Sequence, residues 1–270
     1  MRHILLLGSA ALLLAGCGSD PNSFEGSDEA LQDAGSSRVE YRWTTGSGPS
    51  FSGTGAIDYA DKTGELVMTS KGMELPGGEM QVRFIGRTTY VGFTLLGHLR
   101  WQKETESAPT GADRFVPGPG GPNPDGLLSM LKDASTRVER LGEEEVRGVS
   151  TEHYRANLDK SRLGEDAPEQ PDEVVVEAWI DDEGLVRRLR VPLGDVETLT
   201  VELFDFGAKV EVEAPPADEI VSEDELVKLM EKDCAGKKVD ENDFCAAFVG
   251  LGSGDESSPT ETTPRRVSDY

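Results

Sequence analysis

The sequence predicts an α+β protein, a largely antiparallel β-sheet with short helices packed on it. Three observations lead there. Apolar and polar side chains alternate with a period of two over most of residues 38–206, which marks strands with one buried face. The runs are joined by short turns containing Gly and Asp, which connect antiparallel neighbours. Helical spacing is confined to the stretches near residue 27, at 124–134 and over 222–251.

The N-terminus carries an export signal. Met1-Arg2-His3 is positive, and Ile4 to Leu14 is apolar but too short to span a bilayer as an anchor. The run ends in Leu14-Ala15-Gly16-Cys17. This resembles the bacterial lipobox, where small residues before a cysteine admit a dedicated peptidase and the thiol takes a diacylglycerol. Residues 1–16 are therefore expected to be a signal peptide and Cys17 the lipidated residue, on the extracytoplasmic face of the cell membrane. The plainer alternative is an ordinary signal peptide with a chance cysteine. Residues 17–29 read as a flexible tether with a reach of roughly 20 Å, and Ser27-Asp28-Glu29-Ala30-Leu31 can start one short helix.

The strands follow. Val39, Tyr41 and Trp43 alternate with Arg38, Glu40 and Arg42, giving an aromatic inner face. Phe51 to Tyr59 comes after a Gly/Pro turn, and Asp61-Lys62-Thr63-Gly64 turns into Glu65–Ser70. Met80, Val82 and Phe84 form the next inner face, followed by Thr88 to Phe93 and a short strand holding Trp101. The pattern breaks at a Pro/Gly-rich loop, Thr105 to Pro122. Asn123-Pro124 then opens a helix with Leu127, Leu128, Met130 and Leu131 on one face. Strands resume at Arg137–Leu141, Val146–Leu158, Val174–Ile180, Leu185–Pro192 and Thr198–Phe206. The apolar run Val174-Val175-Val176 with Ala178-Trp179-Ile180 suggests a strand covered on both faces. Asp181-Asp182-Glu183-Gly184 reads as a solvated hairpin turn, far better than as a calcium loop.

Residues 222–251 are helical. Ser222-Glu223-Asp224-Glu225 is a capping box, and Leu226, Leu229 and Met230 form an apolar stripe. With Cys17 assigned to lipid, Cys234 and Cys245 remain as a pair. A disulfide suits an exported chain, with two free thiols as the alternative. Residues 252–270 are rich in Ser, Thr, Pro and acidic residues and read as a disordered tail.

The formal net charge is −24. So acidic a chain is repelled by nucleic acid and by anionic headgroups, so the lipid must supply attachment. Its two acyl chains suffice for that. Beyond His3, only His98 and His153 are present, in different strand regions, and they make a poor zinc site. No Gly-x-Ser-x-Gly elbow, phosphate loop or zinc-protease motif occurs. The expectation is a non-enzyme without metal or cofactor.

Several stretches in order carry a resemblance. They are Trp101-Gln102-Lys103, Asn123-Pro124-Asp125-Gly126-Leu127-Leu128-Ser129-Met130-Leu131, Gly148-Val149-Ser150-Thr151-Glu152-His153-Tyr154, Glu177-Ala178-Trp179-Ile180-Asp181-Asp182-Glu183-Gly184-Leu185 and Phe206-Gly207-Ala208-Lys209-Val210-Glu211-Val212-Glu213-Ala214-Pro215-Pro216. Behind a lipobox, they resemble the LppX/LprG lipoproteins of actinobacteria, distant relatives of the LolA and RseB folds. The resemblance covers roughly residues 30–216. It implies a curved antiparallel sheet, a LolA-like half-barrel, with helices packed in its concave face. It also implies an apolar cavity that takes acyl chains of lipids or lipoglycans for carriage across the envelope. The candidate cavity residues are Tyr41, Trp43, Tyr59, Phe84, Trp101, Leu127, Met130 and Leu131, each of which also reads as core. Residues 217–251 fall outside the resemblance as a disulfide-bearing extension. RseB-like relatives imply a second reading, an envelope sensor with a protein partner docking on that extension and the acidic tail. A tethered hydrolase using His153 and nearby acids is a third.

Overall fold

The computed structural model describes residues 26–46, 48–105, 135–159, 173–192, 196–235 and 245. The first run of alternating segments forms β1 (Ser36–Thr44), β2 (Ser50–Asp58), β3 (Thr63–Lys71), β4 (Met80–Ile85), β5 (Thr88–Leu95) and β6 (His98–Thr105). The second forms β7 (Ser135–Val146), β8 (Val149–Asp159), β9 (Glu173–Ile180), β10 (Val186–Pro192) and β11 (Thr198–Phe204). Each run is a meander of antiparallel neighbours, and β11 returns beside β1 to join them. A two-residue β12 (Ile220–Val221) runs parallel to β6. All twelve strands make one curved, unclosed sheet in the order β12-β6-β5-β4-β3-β2-β1-β11-β10-β9-β8-β7. With α1 (Ser27–Ala34) and α2 (Glu223–Cys234), the architecture is the expected α+β half-barrel.

Register places the apolar residues on one face. Val39, Tyr41 and Trp43 of β1 lie opposite Leu203, Val201 and Leu199 of β11 and opposite Gly55, Gly53 and Phe51 of β2. Leu66 and Met68 of β3 face Val82 and Met80 of β4. On the other side Leu189 and Val191 continue the face from β11 to β10, and Ala178 and Ala156 carry it into β9 and β8. These residues form one buried cluster that reaches nine strands, from β7 to β4, and includes Leu31 of α1. It is the concave face. α1 enters β1 through Gly35, whose N–H closes the helix on the carbonyls of Leu31 and Gln32. α2 packs Leu226 and Met230 against Leu95 and Phe93, which share the concave side of β5 by alternation.

The convex face is covered in two places. First, the β7–β8 hairpin bends over it. The turn is two residues, Arg147 (φ 51°) and Gly148 (φ 81°), the paired positive φ values of a tight hairpin that matches strand twist. Arg147 pairs with Glu202 of β11 and Glu40 of β1. β11 lies three strands from β8, about 14 Å at ordinary strand spacing, so the hairpin tip itself must cross β9 and β10. A register shift between Arg140 and Gly142 supplies the bend. Second, the chain leaving β11 turns at Asp205 and Gly207 and crosses the other half as an irregular strap. It is held where Ser36 Oγ donates to the Ala208 carbonyl (2.5 Å) and Arg83 Nη1 to the Glu213 carbonyl (3.1 Å). The strap rounds the sheet edge as β12, and α2 then returns on the concave side.

β9 departs from the sequence reading. Trp179 is covered by the hairpin tip, but Val175 is 38% exposed, so the apolar run is two-sided only at its far end. The turn after β9 is a hairpin, as read, but Asp181 is buried in it and not solvated. Asp181 Oδ1 accepts from the N–H groups of Glu183 and Leu185, and Oδ2 from Arg187, so its acceptors are spent within the hairpin. Among the described residues no cluster of His, Cys, Asp and Glu could hold a metal ion, and no helix is long and apolar enough to cross a membrane.

Candidate functional site

The concave face is built from side chains that alternation turns inward. Tyr41 and Tyr59 are buried, and Trp43 and Phe84 pack against the same cluster. The structure thus brings together four of the eight residues singled out in the sequence. The hydroxyls of Ser37 and Tyr59 lie 2.7 Å apart, a buried pair that anchors the end of β2 beneath α1. Burial, and secondarily the neighbouring Tyr59, pushes the Tyr41 phenol well up, so it stays neutral. Trp43 stacks on Phe51 with ring centroids 5.3 Å apart. Phe51, Met68, Leu189, Leu199 and Val201 were missed as site candidates, although each sits at an in-phase position of its own strand.

Trp101 is a correction. It is 1% exposed, but it belongs to the opposite face. Val91 of β5 pairs with Gln102 and Gly92 with Trp101, so Trp101 points away from the Val82–Val91 row and onto the convex side. There its indole lies against Gly92, where an added Cβ would come within 2.8 Å of the ring. The Arg83 guanidinium sits over the ring at 4.9 Å, and the Trp101 backbone N–H donates to the Glu219 carbonyl as β12 joins β6. Trp101 therefore secures the strap and does not line the concave face. The remaining candidates, Leu127, Met130 and Leu131, lie outside the described residues, as does Cys17. Cys234 and Cys245 are joined in a disulfide with Cα atoms 5.5 Å apart.

The two faces differ in electrostatics. Charges of the central strands gather on the convex side in a ladder. Glu202 takes Arg188 and Arg147, and Glu177 takes Arg155 and Arg190. Glu144 on the hairpin tip accepts from Trp179 Nε1 (2.9 Å) and lies 3.1 Å from His153 Nδ1. The His153 ring stacks on Trp179 at 4.1 Å. The Trp179 hydrogen bond, then His153, holds Glu144 below the ordinary carboxylate range against partial desolvation. Burial acts to raise Glu202, but hydrogen bonds from Arg188 and Arg147 outweigh it and hold the carboxyl low. A groove of about 440 Å³ on this side is lined by Arg155, Glu177 and Arg190 together with Val175, Pro192 and Thr198, so it mixes charged and apolar side chains. At the rim of the concave face, burial and then Glu223 push Glu104 up.

Compared with models of known families and with curated proteins, the chain matches none. Among solved structures it is similar to the Mycobacterium tuberculosis lipoprotein LppX, with 16% identity over 72% of this chain and 100% of that one and a TM-score of 0.48. It is similar to LprF from Mycobacterium bovis, with 15% identity over 74% and 100% and a TM-score of 0.47. A complex of Pseudomonas aeruginosa MucA and MucB gives 14% identity over 73% and 59% and a TM-score of 0.34.

Proposed function

We propose that this chain is a non-enzymatic lipoprotein of the cell envelope. A diacylglycerol on Cys17 holds it at the membrane, and it carries the acyl part of a lipid or glycolipid against its concave face. The observation that supports this most is the apolar cluster that runs unbroken over nine strands. α1 meets it with only Ala30, Leu31 and Ala34, too little to cover such a surface. The apolar stripe Leu127, Met130 and Leu131 suits a further cover, with an alkyl chain enclosed beneath it. Ten buried methylenes gain about 8 kcal/mol before the cost of ordering the chain, so binding needs no catalytic group. The neutral face and the convex charge ladder fit a ligand that is greasy where it is enclosed.

Native mass spectrometry of the mature chain should show a retained lipid, and the delipidated protein should take up a fluorescent acyl lipid at one per chain. Replacing Met130 and Leu131 by Asp should lower that uptake by at least about tenfold, since each charge would have to be desolvated against the ligand. A wild-type protein that holds no lipid and takes up none would overturn the proposal. One stoichiometric protein partner in cellular crosslinking, without lipid, would put the sensor reading in its place.

A further inference from the structure

Two polar atoms of the concave face stand apart from its paired Ser37 and Tyr59 hydroxyls. The Trp43 indole nitrogen and the Ser70 hydroxyl are shielded from solvent and have no hydrogen-bond partner among the described residues. They are neighbours in the sheet. Trp43 lies opposite Phe51, and Phe51 lies opposite Ser70, so the two flank one aromatic ring on the same face. Two strand spacings, about 10 Å of backbone, separate them. The row continues on the other side through Leu199 and Val191. One cross-strand row thus runs from aliphatic to aromatic and ends in two unspent polar groups, at the end of β1 remote from α1.

A buried donor without a partner costs free energy comparable to a lost hydrogen bond. Two in one row of an otherwise apolar face call for a group that satisfies both. Trp43 can only donate, whereas a serine hydroxyl donates or accepts. The ligand must therefore bring at least one acceptor, and a second polar oxygen some ångströms away. The charge of that acceptor also follows from the neighbours. Leu199, Phe51, Met68 and Met80 surround the pair on the inner face, while Arg42 and Lys71 fall on the other side of the alternation. Among the described residues no cation lies beside the pair on this face, so a carboxylate there would be buried without a counter-charge, which is costly. A neutral ester or amide carbonyl is not penalised in this way.

Resting on the lipid-carrier reading, we infer that Trp43 and Ser70 form a polar subsite for the ester or amide linkage of an acylated ligand. Trp43 donates to the carbonyl oxygen and Ser70 meets the adjoining hydroxyl or ester oxygen. The acyl chain lies along the aliphatic part of the face. The protein is then selective for acyl chains in ester or amide linkage over free fatty acids.

The test uses the mature chain and three probes: monopalmitoylglycerol, palmitic acid at pH 8 and the apolar dye N-phenyl-1-naphthylamine. Wild type should bind monopalmitoylglycerol more tightly than palmitate. Trp43→Phe, which keeps an aromatic ring but loses the pyrrole N–H, should weaken monopalmitoylglycerol binding about five- to tenfold. Ser70→Ala should do so by a similar factor. For Ser70→Ala, which removes only an unpaired hydroxyl, dye affinity should stay within about twofold and the ligand-free melting temperature should not fall. The inference is overturned if both variants bind monopalmitoylglycerol like wild type while still binding dye, or if palmitate is preferred. Wild type that binds neither dye nor monopalmitoylglycerol would instead overturn the lipid-carrier reading, and this inference with it.

Discussion

At the scale of single residues, Trp101 shows how facing is decided. Its indole covers Gly92, and a Cβ at that glycine would meet the ring at 2.8 Å. Gly92→Ala should destabilise the protein by about 1–3 kcal/mol, read as a lower urea midpoint, and should loosen the strap that the tryptophan holds. Reading Trp101 as a concave residue fails because alternation fixes facing only within a strand. Across a hairpin the turn length sets it. Leu95 pairs with His98 around Leu96-Gly97, a two-residue turn, and three residues on from His98 the side chain points the other way. That count was available in the sequence. Glu202 carries a pH prediction. Its carboxyl is held low by Arg188 and Arg147, while an unfolded glutamate titrates near about 4.3. A group depressed on folding contributes stability above its unfolded value and loses it as pH falls through the folded value. Melting temperature should therefore drop on acidification below about pH 4, with the hairpin tip released from β11. Glu202→Gln should cost about 1 kcal/mol at neutral pH and flatten that acid slope.

At the scale of elements, most long strands were legible in the sequence to within a few residues, because each keeps one buried face and so repeats every second residue. β7 was not, since it runs on to Val146 where the reading stops at Leu141 and carries the next strand through the Arg147–Gly148 turn. α2 was legible as well. Ser222 accepts from the Glu225 N–H at 3.3 Å, which is the forward half of the expected capping box. Ser222→Ala should cost about 1 kcal/mol, measured as earlier loss of helical circular dichroism. Breaking the Cys234–Cys245 bond by Cys234→Ser should cost roughly 3 kcal/mol in the loop-closure view. What could not be read was how elements leave the sheet plane. The bend of the β7–β8 hairpin depends on Arg147 meeting Glu40 and Glu202, which are 107 and 55 residues away. The strap depends on Arg83 meeting a carbonyl 130 residues on. Such contacts are polar and remote, and hydrophobic periodicity is silent about them. The candidate site was legible to the same extent. Tyr41, Trp43, Tyr59 and Phe84 were in phase within their strands, whereas the missed Leu189 and Leu199 became site neighbours only through pairing with a distant partner.

At the scale of the whole molecule, the sequence suggests a boundary near residue 216, because the resemblance stops there. The structure gives the following residues a place in the same sheet. Ile220 and Val221 extend it beyond β6, and α2 buries Leu95 under Leu226 and Met230. The chain therefore passes from the convex side, around an edge, to the concave side, and clasps the first meander. A half-barrel is open by construction, and its edge strands present unpaired backbone groups. β12 covers part of one edge, and the charged strand β7 forms the other. If residues 217–251 were an independent extension, a chain ending at 216 would keep its melting temperature. If they are a clasp, the truncation uncovers Leu95 and Phe93, removes β12 from β6 and frees the strap end beside Trp101. Burying Leu95, Leu226 and Met230 accounts for about 4.5–9 kcal/mol of transfer free energy at the usual side-chain values, an upper estimate because the unfolded chain hides part of that surface. Against a typical total of about 5–15 kcal/mol, losing it leaves a marginal domain. The truncated chain should thus melt well below the full one, bind more of a hydrophobic dye and aggregate on warming. Adding the missing segment as a separate polypeptide should restore part of the melting temperature, because the segment's apolar stripe and edge strand still fit the surface it left.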